Sequence, residues 1–187
     1  GKIDKKFMNL PKEVLITVMR VHQKYFALQD KNNQIQPYFI VVSNMPKQSL
    51  RDKNIIYGNE KVLRARLEDA KFHWENDRSK NFSEMLYKLK SVSYFEGLGS
   101  LYDKSIRLEQ ISEYISNLLK FKNIDNIKRA ALLCKIDLIS GMVGEFPELQ
   151  GIMGGYFAEV QGFEKDVSIA ISEQYLPSGF NSKVPKK

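Results

Sequence analysis

Residues 130–156 read AALLCKIDLISGMVGEFPELQGIMGGY. The stretch is almost continuously apolar, broken by Gly and Pro in its middle and by paired glycines near its end. It predicts a buried helix over 126–142, a turn enforced by Pro147, and a second amphipathic helix beyond it. Proline disfavours helical backbone at Phe146 and suits the first position of the next helix, where Glu148 meets its positive end. In that helix Leu149, Ile152, Met153, Tyr156, Phe157 and Val160 recur at helical spacing. Gly151, Gly154 and Gly155 fall off this stripe. Each glycine costs a helix about 1 kcal/mol relative to alanine, so the set predicts close approach by another helix, backbone or ligand. Chain this hydrophobic belongs at the centre of a fold, and the remaining helices must cover it.

Working outward, Asp125 is a plausible cap for 126–142, and residues 165–175 form a last helix before Pro177. On the other side, residues 100–120 carry Leu108, Ile111, Ile115 and Leu118 at three- and four-residue spacing, which predicts another amphipathic helix. Gly97 and Gly99 interrupt before it. Residues 83–94 read as a helix with Met85, Leu86 and Leu89 as its apolar stripe. Asn59 is the expected cap of a helix to 78, with Val62, Leu63, Leu67, Ala70 and Trp74 on one side. Residues 45–58, polar and containing Pro46 and Gly58, predict a loop.

The opening residues differ in character. Residues 11–21 carry Val14, Leu15, Val18 and Met19 at helical spacing, while their β-branched content leaves a strand open. Residues 23–29 and 35–43 read as strands joined by the turn sequence DKNNQ over 30–34, with YFIVV as a buried run. Pro37 suits the start or edge of its strand. A two-stranded piece is too small to stand alone, so it is expected to belong to a larger sheet cut off at the boundary of the section. The fold class is therefore mainly α. A helical domain over 59–178 is preceded by a partial α/β segment with a hairpin over 1–45, a linker over 46–58, and followed by a flexible tail over 179–187.

Of 187 residues, 43% are hydrophobic and 27% charged, which excludes a disordered chain. Lys and Arg number 29 against 22 Asp and Glu, a net charge of +7 that permits contact with a polyanion such as RNA without requiring it. One cysteine and two histidines make no internal disulfide and a poor zinc set. That cysteine usage fits a reducing cytoplasm. No apolar run approaches the roughly 20 residues of a membrane span, and no signal-peptide pattern opens the chain. It starts at Gly1 in charged, linker-like sequence, and a section of a longer polypeptide is expected.

Chemistry-bearing residues are sparse. Asp137 lies within an apolar helix, and a buried carboxylate must be paired or hydrogen-bonded. It is either a metal ligand or general base, or a structural acceptor for a helix end or a nearby Lys or Arg. With no histidine close in sequence, the structural role is preferred. His22 stands among polar residues and His73 beside Trp74 on a helix; their spacing makes no metal pair. There is no P-loop, GxGxxG or GxSxG, and GMVG over 141–144 lacks the lysine of a phosphate cradle. Lys61, Arg64, Arg66 and Lys71 give one helix a basic character. Glu60, Glu68 and Asp69 are interleaved, so an ion-paired solvated face competes with an RNA-facing one.

Five stretches together carry a family resemblance. They are LPKEVLITVMRVHQKYF (10–26), GNEKVLRARLEDAKF (58–72), LGSLYDK (98–104), KIDLISGMVGEFPELQGIMGGYFA (135–158) and EQYLP (173–177). In this order they resemble an internal section of the β subunit of bacterial tetrameric glycyl-tRNA synthetase. The resemblance implies a part in ATP-dependent tRNA(Gly) aminoacylation, as one section of an α2β2 enzyme in the cytoplasm. It places glycine and ATP on the separate α subunit and the anticodon-binding domain beyond this section. The section would then hold no cofactor, have no catalytic residue, and partner the α subunit and tRNA(Gly). The tRNA-contacting candidates are Arg20, His22, Lys24, Lys61, Arg64, Arg66 and Lys71.

A second similarity concerns the helical part. RAALLCKIDLIS (129–140) resembles the signature helix of HD-domain phosphohydrolases, in which an AALLHDIG-like segment supplies a histidine and an aspartate to a metal. Cys134 and Lys135 occupy those two places. An ammonium repels a divalent cation, and one thiol does not restore the missing ligands. The resemblance implies an HD-like helical fold without its metal or hydrolase activity. An active metal-dependent phosphohydrolase, and a pure subunit scaffold without RNA contact, are the alternatives.

Overall fold

The computed structural model describes residues 1–44 and 49–185, with the side chains of 45–52 also left aside. The chain divides into two compact units, Gly1–Glu75 and Asn76–Lys187. Among the described residues it is mainly helical, with two small antiparallel ribbons.

In the first unit, α1 (Lys12–Thr17) follows Pro11 and continues as a wider helical turn over Val18–His22. Val14, Leu15, Val18 and Met19 are all buried, so the helical alternative prevails here. Strands β1 (Phe26–Gln29) and β2 (Ile35–Ile40) pair antiparallel, with Ala27 opposite Phe39. The turn between them works through Asp30, whose Oδ1 accepts from the Asn32 and Gln34 N–H groups at 2.8 and 2.9 Å, while Asn33 takes φ +59°. These are the roles that Asp and Asn serve in turns.

Two expectations for this ribbon fail. The run after Pro37 is not buried throughout: Phe39 is buried, whereas Tyr38, Ile40 and Val42 are exposed. Alternation along a strand leaves one face to solvent when only one face has a neighbour. Pro37 lies inside β2, and its carbonyl accepts from Ile3 N–H at 2.9 Å.

Helix α2 (Ser49–Asp77) begins well before the expected cap at Asn59. Within the expected loop, residues 45–48 lie outside the described residues and 49–58 are helical. Asn59 is an interior helical residue. Its Nδ2 donates to the Ile55 carbonyl at 2.7 Å, and its Oδ1 accepts from the Tyr25 hydroxyl at 2.6 Å, tying helix to ribbon. Leu63, Leu67, Ala70 and Trp74 are buried as expected, and Val62 is exposed.

The second unit opens with α3 (Phe82–Lys88), capped by Asn81 Oδ1 accepting from Ser83 N–H at 2.7 Å. The expected helix over 83–94 stops early. Residues Leu89–Ser91 tighten into a 3-10 turn, and β3 (Ser93–Phe95) then pairs with β4 (Gly99–Ser100). Positive φ at Gly97 and Gly99 turns the chain between them. Ser100 and Asp103 form a reciprocal capping box at the start of α4 (Leu101–Leu118).

Of the stripe expected to bury α4, Leu108 is half-buried and the rest is solvent-facing. Ile111, Ile115 and Leu118 are exposed, and the buried side is made by Leu101, Ser105 and Ser116. Small residues allow α4 to approach α5 (Ile124–Leu133) closely, leaving the aliphatic side outward. The cap of α5 is Asn123, with Asp125 in its first turn.

The opening stretch is not one helix, a turn and a second helix. Helix α5 ends at Leu133, a 3-10 turn spans Ile136–Ile139, and α6 (Gly141–Glu145) follows with Ser140 as cap. Another 3-10 turn covers Pro147–Leu149 before α7 (Ile152–Val160), and α8 (Lys165–Glu173) completes the unit. Its core includes Met85, Leu89, Ile136, Met142, Phe146, Leu149, Met153, Phe157, Val167 and Ile171, with this one stretch the largest contributor. Of the tail expected over 179–187, residues 186–187 lie outside the described residues.

Candidate functional site

The break after α5 brings Asp137 against the start of α7. Gly151 takes φ +83° at the helix start, a conformation open chiefly to glycine. Asp137 Oδ2 accepts from Gly151 N–H at 2.6 Å and from Gly154 N–H at 3.2 Å, so the carboxylate satisfies an orphan helix N-terminus. Gly154 must be small, because a Cβ there would stand 2.8 Å from Ile171 Cγ2 and 3.4 Å from the carboxylate. At Gly155 a Cβ would meet Ser172 Cβ at 2.7 Å and the Ser168 carbonyl oxygen at 2.8 Å. The glycine face is thus the seat of α8 and of Asp137.

Asp137 is 0% exposed, and burial pushes its carboxyl up to about 6 against the lowering pull of the Gly151 and Gly154 N–H groups. Its Oδ1 is buried without a hydrogen-bond partner. Sealed from solvent in this way, the carboxyl holds the start of α7 against the turn after α5.

The neighbouring positions are also engaged. Cys134 Sγ donates to the Ala131 carbonyl at 3.1 Å, and burial raises the thiol above its ordinary range, which leaves it poorly reactive. Lys135 Nζ donates to Gln174 Oε1 at 2.6 Å and to the Tyr175 hydroxyl at 2.9 Å, and lies 4.2 Å from the Tyr175 ring centre. Gln174 in turn donates to the Cys134 carbonyl at 2.5 Å. The two positions that the resemblance sets at a metal therefore lock α5 to the end of α8. Among the described residues no group of three His, Cys, Asp or Glu side chains is placed to hold a metal ion.

Beside this node lies an apolar groove of about 540 Å³ between α4, α5 and α8, lined by Leu108, Phe121, Ile127, Ala131, Cys134 and Ile169 among others. No described helix is long and apolar enough to cross a membrane.

The basic candidates lie in the first unit. Lys61, Arg64, Glu68, Lys71 and Glu75 follow one another at three- and four-residue spacing and share one face of α2. That face mixes signs: Lys71 pairs with Glu75 at 3.7 Å, and Glu68 pairs with Lys6. Arg66, two residues from Arg64, points elsewhere. Arg20, His22 and Lys24 sit apart in sequence, at the end of the α1 helical segment and before β1, with Lys24 at φ +58°.

Sequence reasoning passed over a different cluster. Lys90 Nζ lies 4.7 Å from the ring centres of both Tyr87 and Tyr102, and Lys104 Nζ lies 3.8 Å from that of Tyr94. The alternation of Tyr and Lys through 87–104 was the available signal. It was hidden because part of that stretch read as a helix.

A family model described as glycyl-tRNA synthetase beta subunit matches residues 1–187. A glycine–tRNA ligase beta subunit from Thermodesulfovibrio yellowstonii is 47% identical over 180 residues, covering 96% of this chain and 26% of the relative. The protein of the same name from Rickettsia prowazekii is 50% identical over 185 residues, covering 99% of this chain and 27% of that one. That of Streptococcus mutans is 42% identical over 187 residues, with 99% and 27% covered. The chain spans about a quarter of the length of these curated relatives. Matched along its whole length, it belongs to the glycyl-tRNA synthetase beta subunit family.

Proposed function

We propose that this chain is a non-catalytic section of the β subunit of an α2β2 glycine–tRNA ligase. It helps to hold tRNA(Gly) and the α subunit while ATP-dependent glycine transfer proceeds on the α subunit, in the cytoplasm. The observation that carries this is the family match over residues 1–187. The closed chemistry at Asp137 and Lys135 agrees with a supporting role: one is a strut and the other a tether. On this reading the second unit is an HD-like helical module whose metal positions have become packing positions. The whole enzyme uses ATP; this section holds no cofactor.

The test uses the assembled enzyme with a full-length β subunit. Filter binding of tRNA(Gly) across a salt series measures both affinity and its salt slope, which reports phosphate contacts. Lys61→Glu with Arg64→Glu is expected to weaken binding and flatten the slope; unchanged values would remove this face from the tRNA surface. Cross-linking with and without tRNA separates this reading from a scaffold that touches only the α subunit. This chain alone, given ATP, glycine and tRNA, is expected to produce no glycyl-tRNA.

A further inference from the structure

Residues 87–104, YKLKSVSYFEGLGSLYDK, interleave aromatic and lysine side chains over α3, the β3–β4 ribbon and the start of α4. Ser93, Tyr94 and Phe95 of β3 are all exposed, with Phe95 67% and Tyr87 67% accessible. A short ribbon is marginal by itself, so rings placed on it and left open to solvent are available to a partner.

The chemistry of the surface selects that partner. Ammonium groups sit over the rings of Tyr87, Tyr94 and Tyr102. Lys104 holds the Tyr94 hydroxyl below the usual phenol range by a hydrogen bond and by its charge, and Arg107 and Lys135 add to the effect. Lys104 is the ammonium placed against Tyr94 itself, 3.8 Å from its ring centre. Asp103, the acidic residue at the start of α4, is engaged by Ser100 in the capping box. An apolar protein face laid here would desolvate the lysines without pairing them, which is costly. A strand with both phosphates and free base faces satisfies rings and ammonium groups together. Duplex RNA offers phosphates without free base faces.

We propose that the β3–β4 ribbon and the flanking ends of α3 and α4 bind unpaired nucleotides of RNA, with Tyr94 and Phe95 stacking on bases and Lys90 and Lys104 meeting phosphates. This rests on the reading that the enzyme holds tRNA, and it assigns a surface distinct from the α2 face.

The assembled enzyme is titrated with tRNA(Gly) across a salt series, with an unpaired oligoribonucleotide and an RNA duplex as competitors. Tyr94→Ala with Phe95→Ala is expected to weaken tRNA binding roughly five-fold or more with the salt slope kept, because stacking is removed while the phosphates stay paired. Lys90→Ala with Lys104→Ala is expected to weaken binding and reduce the slope, by about 0.7 for each phosphate of a single strand left without its lysine. The unpaired competitor should lose potency against the Tyr94/Phe95 variant while the duplex keeps its own. Tyr94→Trp, which retains a ring, should restore affinity in the presence of Phe95.

If the wild-type enzyme binds tRNA and the Tyr94/Phe95 variant binds it equally, the ribbon assignment alone is wrong. If that variant instead loses α-subunit association with tRNA affinity kept, the ribbon is a protein interface and the proposal is overturned. A wild-type enzyme without tRNA affinity overturns both this proposal and the function it rests on.

Discussion

Asp137 and Gly151 are fourteen positions apart and joined by a 2.6 Å hydrogen bond from the glycine N–H to the buried carboxylate. That bond holds the start of α7 on the turn after α5. Asp137→Ala should strip two N–H groups of their acceptor and cost about 2–3 kcal/mol. Asp137→Asn, which retains an acceptor oxygen, should cost less. Urea midpoints of the three proteins check the order, and equal midpoints would remove Asp137 from the framework.

The same carboxyl sets a pH dependence. Its folded value of about 6 stands above the ordinary 3.8, so the folded state binds the proton more tightly. Below 3.8 both states are protonated and this contribution is fully present; it is lost as pH rises through 6. The difference corresponds to about 3 kcal/mol over that window. Asp137→Asn should flatten this component of unfolding stability measured between about pH 4 and 7, and an unchanged profile would show that other groups set it.

Two glycines give opposite expectations. A Cβ at Gly155 would press within 2.8 Å of the Ser168 backbone oxygen, so Gly155→Ala should force α7 from α8 and cost about 1–3 kcal/mol. At Gly144, exposed in α6, nothing lies within 4 Å of a built Cβ, and Gly144→Ala should stabilise by up to about 1 kcal/mol. Thermal melts of both variants decide the point.

Asp77 provides a second buried acceptor. Its Oδ2 accepts from Met142 N–H at 2.7 Å at the start of α6, and its Oδ1 pairs with Lys80 at 2.6 Å. Asp77→Ala should cost about 2 kcal/mol and raise amide exchange at Met142 and Val143. Lys80→Ala should cost less, because that ammonium is partly solvated.

Local signals decided a good part of this chain. The apolar spacing of Leu63, Leu67, Ala70 and Trp74 marked the buried side of α2, and the DKNNQ tract marked the turn between β1 and β2, because period and turn chemistry are properties of neighbouring residues. The missed ribbon at 93–100 shows where such reasoning stops. Tyr94 and Phe95 followed a helical segment without a proline, and only the positive φ at Gly97 and Gly99 reveals the reversal.

Residues 130–156 divide along the same line. The sequence by itself determined that this stretch is the core, that Pro147 redirects it, that its glycines admit a close neighbour, and, through five matched segments, to which family it belongs. Only the tertiary structure decided that α5 ends at Leu133, that the close neighbours are α8 and the Asp137 carboxylate, and that Ile111, Ile115 and Leu118 stay outside. Spacing specifies which faces are apolar; which of them is covered depends on where distant segments come to rest. A helix end buried 14 residues away can claim a carboxylate that local periodicity assigns to a continuous helix.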